Sequence, residues 1–101
     1  MSQDAQTVKV AKDLEDLIPV FMKNRAKEVD SLRAAVSAGD FEQLRQLGHR
    51  MKGVGNSYGF AFVSEIGKRV EDAAKSSDAA AVGACIDEYA QYLANLTIVY
   101  E

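Results

Sequence analysis

The stretch Gly48-His49-Arg50-Met51-Lys52-Gly53-Val54-Gly55-Asn56-Ser57-Tyr58-Gly59-Phe60 holds the chain's only histidine and four of its seven glycines. Each interior glycine costs a helix about 1 kcal/mol relative to alanine. Yet the residues leading into it, Phe41, Leu44, Leu47 and Met51, recur at helical spacing and continue through Gly55 to Tyr58. At roughly 100° per residue, with Phe41 as zero, the stripe from Leu44 to Gly55 spans about 240° to 340° and His49 falls near 80°. His49 therefore faces solvent, with Arg45, Lys52, Gly53 and Asn56 within about 60° of it. Gly48 and Gly55 lie on the apolar side, where a missing side chain lets another helix approach. Gly53 lies on the exposed side, where packing asks nothing of it. A partner that must come close to the histidine ring is one explanation; tolerated drift in an ordinary solvated helix is the other.

Helical spacing extends in both directions from this segment. Upstream, Leu14, Leu17, Ile18, Phe21, Val29, Leu32 and Val36 mark a long first segment. Pro19 interrupts it, because proline fixes φ and cannot donate to the helix ladder. A short helix near 11–18 is therefore expected to meet the next at a kink or break. Gly39 is a candidate C-cap and Asp40 a candidate N-cap. Downstream, Asn56-Ser57-Tyr58-Gly59 reads as a turn. A third helix carries Val63, Ile66, Gly67, Val70 and Ala74 on one face. Ser76-Ser77-Asp78 closes it and caps a last helix bearing Val82, Ile86, Tyr89, Leu93 and Leu96. No segment is read as a strand. The expected fold is all-α: an antiparallel up-down four-helix bundle with a short additional N-terminal helix over one end, in a single domain spanning 1–101.

The bulk properties narrow the function. The chain has 101 residues, 48% of them apolar and 27% charged, enough for one buried core. No run approaches the ~18 apolar residues of a membrane span, and MSQDAQTVKV lacks the apolar segment of a signal peptide. A cytoplasmic protein is expected, with no membrane partner. A single Cys85 and a single His49 leave no metal-binding set. Net charge is −3, which argues against nucleic acid. Within residues 45–75, however, six basic side chains face three acidic ones, leaving −6 for the remainder. A locally positive middle in an acidic chain suits an anionic group handled there.

In an antiparallel hairpin centred near residue 60, His49 and Glu71 lie at similar height. Glu71 falls at the boundary of its own apolar face, with Lys68 and Lys75 one turn to either side. It could accept a hydrogen bond from one ring nitrogen, fix the tautomer and leave the other nitrogen a lone pair. The opposite handedness of the turn would place Glu71 on the far side.

His49-Arg50-Met51-Lys52-Gly53 followed by Gly59 resembles the H-x-x-K-G…G signature of histidine-containing phosphotransfer (HPt) domains. Leu17-Ile18-Pro19-Val20-Phe21, Ala38-Gly39-Asp40-Phe41 and Tyr58-Gly59-Phe60 sit where such domains carry similar segments, so the resemblance covers most of the chain. It implies that His49 accepts a phosphoryl group, most readily on Nε2. Lys52 would sit beside the phosphoryl oxygens, and Gly53 would leave room for the partner. Glu71 matches the position of a Gln or Glu that orients the histidine. Lys75 matches a position that is basic in some members, while Lys68 departs from the histidine that chemotaxis-type members often carry there. Arg45, Gly53, Asn56, Lys68 and Lys75 become candidate partner-binding residues. The implied partners are receiver domains of hybrid histidine kinases and response regulators, which would bring the Mg²⁺ and the aspartate.

The chemistry agrees with these residue types. Neutral imidazole is a nucleophile near pH 7, and phosphoryl transfer needs positioning and charge more than covalent help. The glycines do not fit G-x-x-x-x-G-K-[S/T], and no Asp cluster suggests Mg²⁺. A phosphocarrier without its own ATP, metal or cofactor site is expected. A chain that begins at Met and ends without an evident linker is expected to stand alone, as a monomer. Two alternatives are the phosphorylatable substrate domain of a larger histidine kinase and a helical module that binds receivers without phosphorylation.

Overall fold

A computed structural model describes residues 6–101; the first five residues of the expected domain span lie outside it. Four helices carry the fold: α1 (Ile18–Ala38), α2 (Phe41–Tyr58), α3 (Ala61–Lys75) and α4 (Ala79–Ala94). Their ends follow local chemistry. Gly39, at φ 65°, closes α1 in the left-handed conformation. Asp40 caps α2 by accepting the Gln43 N–H at 3.0 Å, and Asp78 caps α4 by accepting the Ala81 N–H at 3.1 Å. Leu32, Leu44, Ile66 and Tyr89, one from each helix, are fully buried at the centre.

The short helix expected near 11–18 is a 3-10 helix, Lys12–Leu17, with no buried residue. It gives way to α1 at Leu17–Ile18; what is corrected is the role of Pro19, which does not interrupt a helix. Pro19 sits in the first turn of α1, where its missing N–H would have had no helical partner anyway and its fixed φ already suits the helix. A second correction concerns Asn56-Ser57-Tyr58, which belongs to α2; the helix closes at Gly59, φ 82°.

The expectation of no strand is also overturned. β1 (Gln6–Val10) and β2 (Leu96–Tyr100) pair in parallel, with Val8 opposite Ile98 and Val10 opposite Tyr100. Backbone bonds from Glu101 N–H to Val10 O (3.0 Å) and from Lys12 N–H to Glu101 O (2.8 Å) extend the ladder. Val10 is buried, and Val8 and Ile98 pack on the helical core. An isolated two-stranded pair is marginal in water, so this one depends on the helices behind it.

The α2/α3 contact positions the site. A Cβ built on Gly48 would stand 2.7 Å from both Glu71 N and Gly67 O. One built on Gly67 would stand 2.6 Å from Lys52 N and 2.7 Å from Gly48 O. The two backbones touch because neither residue has a side chain. Ser64, also buried, donates its hydroxyl to Lys52 O at 2.6 Å. The contacts pair rising numbers on α2 with falling numbers on α3.

A second polar feature lies between α1 and α4. Tyr89 donates its hydroxyl to Glu28 Oε1 at 2.7 Å, and Arg25 Nε lies 3.1 Å from the same oxygen. Burial pushes the Glu28 carboxyl above its ordinary value; the Tyr89 hydrogen bond and the charges of Arg25 and Arg50 oppose that without cancelling it.

Candidate functional site

His49 stands on the exposed flank of α2, its side chain 66% exposed, in agreement with the helical wheel. Glu71 projects from α3 toward it across the glycine contact. The carboxylate bridges the site: Oε2 lies 3.2 Å from His49 Nδ1, and Oε1 lies 3.2 Å from Lys52 Nζ. Lys75 Nζ approaches Oε2 at 4.0 Å. The expected boundary position of Glu71 is corrected, since its side chain is only 7% exposed. The glycine contact draws α3 closer than a wheel of α3 alone can show.

Burial works to raise the Glu71 pKa. Lys52, by hydrogen bond and charge, together with the His49 hydrogen bond and the Lys75 charge, outweighs burial and holds the carboxyl below its ordinary value of 4.5. The stabilisation from this network is thus fully present above pH 4.5 and is lost as pH falls through the depressed value. With Glu71 ionised, the ring nitrogen that faces it, Nδ1, carries the N–H and donates a hydrogen bond to Oε2. Nε2 is left with its lone pair and no protein partner among the described residues.

The other candidates divide. Gly53 borders open space: a Cβ there would meet nothing within 4 Å. Lys75 joins the Glu71 cluster. Lys68 does not; it pairs with Asp72 at 3.1 Å. Arg45 is held by the Glu42 carboxylate at 2.6 and 3.1 Å. Asn56 is exposed. Sequence reasoning missed Ser64, whose hydroxyl steadies the Lys52 backbone. A small polar residue interrupting the Val63/Ile66 face of α3 was the available signal.

The exposed flank at Gly53 makes one prediction direct. Gly53→Gln should leave stability unchanged or raise it by up to ~1 kcal/mol, since glutamine has the better helix propensity. On the phosphotransfer that the resemblance implies, transfer from a macromolecular donor should fall sharply, while labelling by a small donor such as phosphoramidate should fall much less. A variant that melts earlier yet transfers normally from the macromolecule would assign Gly53 to packing.

Comparison with known proteins identifies one family. A family model described as the Hpt domain matches residues 16–97. No curated protein and no solved structure matches the chain.

Proposed function

Because the chain belongs to the Hpt domain family, a family of phosphotransfer modules of two-component phosphorelays, we propose that His49 is its phosphoryl acceptor, loaded by a receiver aspartate and discharged to another. The observation that carries this is the Nδ1 contact to Glu71 at 3.2 Å, which leaves Nε2 as the nucleophile on an exposed ring. Nε2 attacks the phosphorus of an aspartyl phosphate. The N–P bond forms as the acyl O–P bond breaks, and the aspartate carboxylate leaves. The ring gains positive charge as it does so, and the Glu71 carboxylate at Nδ1 stabilises that charge. Discharge to a second receiver is the same step reversed.

Lys52 Nζ, tethered by Glu71 Oε1 and 40% exposed, can turn toward the equatorial phosphoryl oxygens. Gly53 admits the partner, with Lys75, Arg45, Asn56 and Lys68 around the docking face. On this reading Mg²⁺ and the reacting aspartates belong to the receiver, and a carrier without its own ATP or metal site is part of the proposal; among the described residues no group of three or more His, Cys, Asp or Glu side chains could hold a metal ion. Among the described residues no helix is long and apolar enough to cross a membrane; a cytoplasmic monomer is part of the proposal. So is the alternating up-down order of the four helices, supported by the opposed α2/α3 pairings and by Arg33–Asp87 and Glu28–Tyr89 between α1 and α4. Residues 1–101 are taken as one domain, since the β1–β2 ladder joins both flanks of the matched region.

The test is transfer from phosphorylated receiver domains of the same genome, ranked by rate, with a product label that is acid-labile and base-stable. No transfer from any receiver would overturn the proposal. Lys52→Ala should slow single-turnover transfer roughly ten- to hundredfold, the loss of one charge-assisted contact of ~1.5–3 kcal/mol made in the transition state. Glu71→Ala should slow it by a smaller factor. Wild-type rates in both variants would remove Lys52 and Glu71 from the site.

A further inference from the structure

A groove between α1 and α2, on the side of α2 away from α3, concentrates positive charge that the fold neutralises only in part. It encloses about 340 Å³ and is lined by Arg25, Lys27 and Arg50 with Asn24, Ser31 and Glu28 among its walls. Arg25 is 9% exposed, and its Nε is buried without a hydrogen-bond partner although Glu28 Oε1 lies 3.1 Å away. The Arg25–Glu28 ion pair therefore leaves this guanidinium incompletely hydrogen-bonded. Arg50 and Lys27 are exposed and have no ion pair or hydrogen bond among the described residues. The contrast with the other arginines is informative. Arg33, Arg45 and Arg69 each hold an acidic side chain, at 3.2, 2.6 and 2.7 Å. Three cations against one carboxylate leave the groove at about +2, in a chain whose net charge is −3.

The groove is placed to serve the transfer site. Arg50 follows His49 directly. Asn24, Arg25 and Val54 also line a second hollow, of about 280 Å³, that opens beside Leu17 and Val20, which are 49% and 61% exposed. A macromolecule lying over Gly53 and reaching across α2 toward α1 covers both.

We propose that the Arg25–Lys27–Arg50 groove receives an acidic side chain of the docking receiver domain, and that this contact contributes to the choice of receiver. The inference rests on the phosphotransfer reading above. A carboxylate entering the groove pairs with the two free cations and supplies an acceptor near the buried guanidinium. Desolvated charge pairs of this kind act on association rate and partner discrimination as well as affinity.

The experiment measures the dissociation constant of the protein with a receiver that exchanges phosphoryl groups with it, at low and high salt. Circular dichroism confirms that each variant is folded. The double variant Lys27→Gln/Arg50→Gln should bind about tenfold more weakly at low salt, with the difference shrinking at high salt. The control Arg33→Gln/Arg69→Gln, an equal charge change at the two arginines paired with α4, should bind as wild type. An affinity indifferent to the Lys27→Gln/Arg50→Gln variant, or equally reduced by the control, overturns the groove proposal alone. Failure of the wild type to bind any receiver overturns the groove and the phosphotransfer reading together.

Discussion

His49→Gln folds as the wild type does and accepts no phosphoryl group. Both halves of this expectation follow from where the ring stands. Its side chain is 66% exposed, so replacing it removes no core contact, and exposed substitutions away from special features usually change stability by less than about 0.5 kcal/mol. A glutamine amide can still donate to the Glu71 carboxylate, so the buried carboxylate keeps a donor on that side. The amide nitrogen has no lone pair free for attack on phosphorus, because it is delocalised into the carbonyl. The check is single-turnover transfer from a phosphorylated receiver beside thermal unfolding of the same sample. Labelling at the wild-type level would place the phosphosite elsewhere and end the assignment of His49.

The second large effect is on stability. Gly67→Val should lower it by about 3 kcal/mol, through overpacking at a site that cannot yield. The first added atom would already lie 2.6 Å from Lys52 N and 2.7 Å from both Gly48 O and Met51 Cβ. Two of those three neighbours are backbone, so no rotamer change relieves the clash and α3 must move away from α2. For a domain of this size the melting temperature should fall by roughly 12–24 °C. Glu71 lies one turn along α3, so the same displacement should draw its carboxylate from His49 and slow transfer in the molecules that remain folded. Gly53→Val makes a control, since a Cβ there meets nothing within 4 Å. Thermal unfolding of the pair separates the cases. Gly67→Val melting with the wild type would mean that the two helices do not touch there.

These two glycines mark where sequence reading worked and where it stopped. The orientation of His49 and Gly53 toward solvent follows from the 3.6-residue period of a single helix, because the apolar stripe from Leu44 to Gly55 fixes which face of α2 is inward. Glu71 could be matched to His49 in height, yet its side and depth could not be read. Those depend on the handedness of the α2–α3 turn and on how closely two backbones approach, which are properties of a pair of helices. The same holds for Lys68 and Arg45. Arg45 falls near the histidine on the wheel of α2 and Lys68 one turn from Glu71 on α3, but each is taken up by an acidic neighbour on its own helix, Glu42 and Asp72.

The strands show the other kind of loss. Thr97-Ile98-Val99-Tyr100 has strand-like composition, but Leu96 continues the α4 stripe. The partner strand, Gln6–Val10, lies at the opposite end of the chain. Parallel pairing across that separation leaves no local pattern, because the bundle must first bring both termini to one end.

What the sequence alone determined is therefore what a single helix can encode: the four amphipathic segments, the caps at Gly39, Asp40 and Asp78, the outward-facing histidine and the signature around it. Tertiary structure alone decided the burial of Glu71, the tethering of Lys52 by the same carboxylate, the β1–β2 pair and the net positive groove between α1 and α2. The physical reason is range. Periodicity and capping act over one or two turns, whereas a carboxylate's partners and its desolvation are set by whichever helix packs against it.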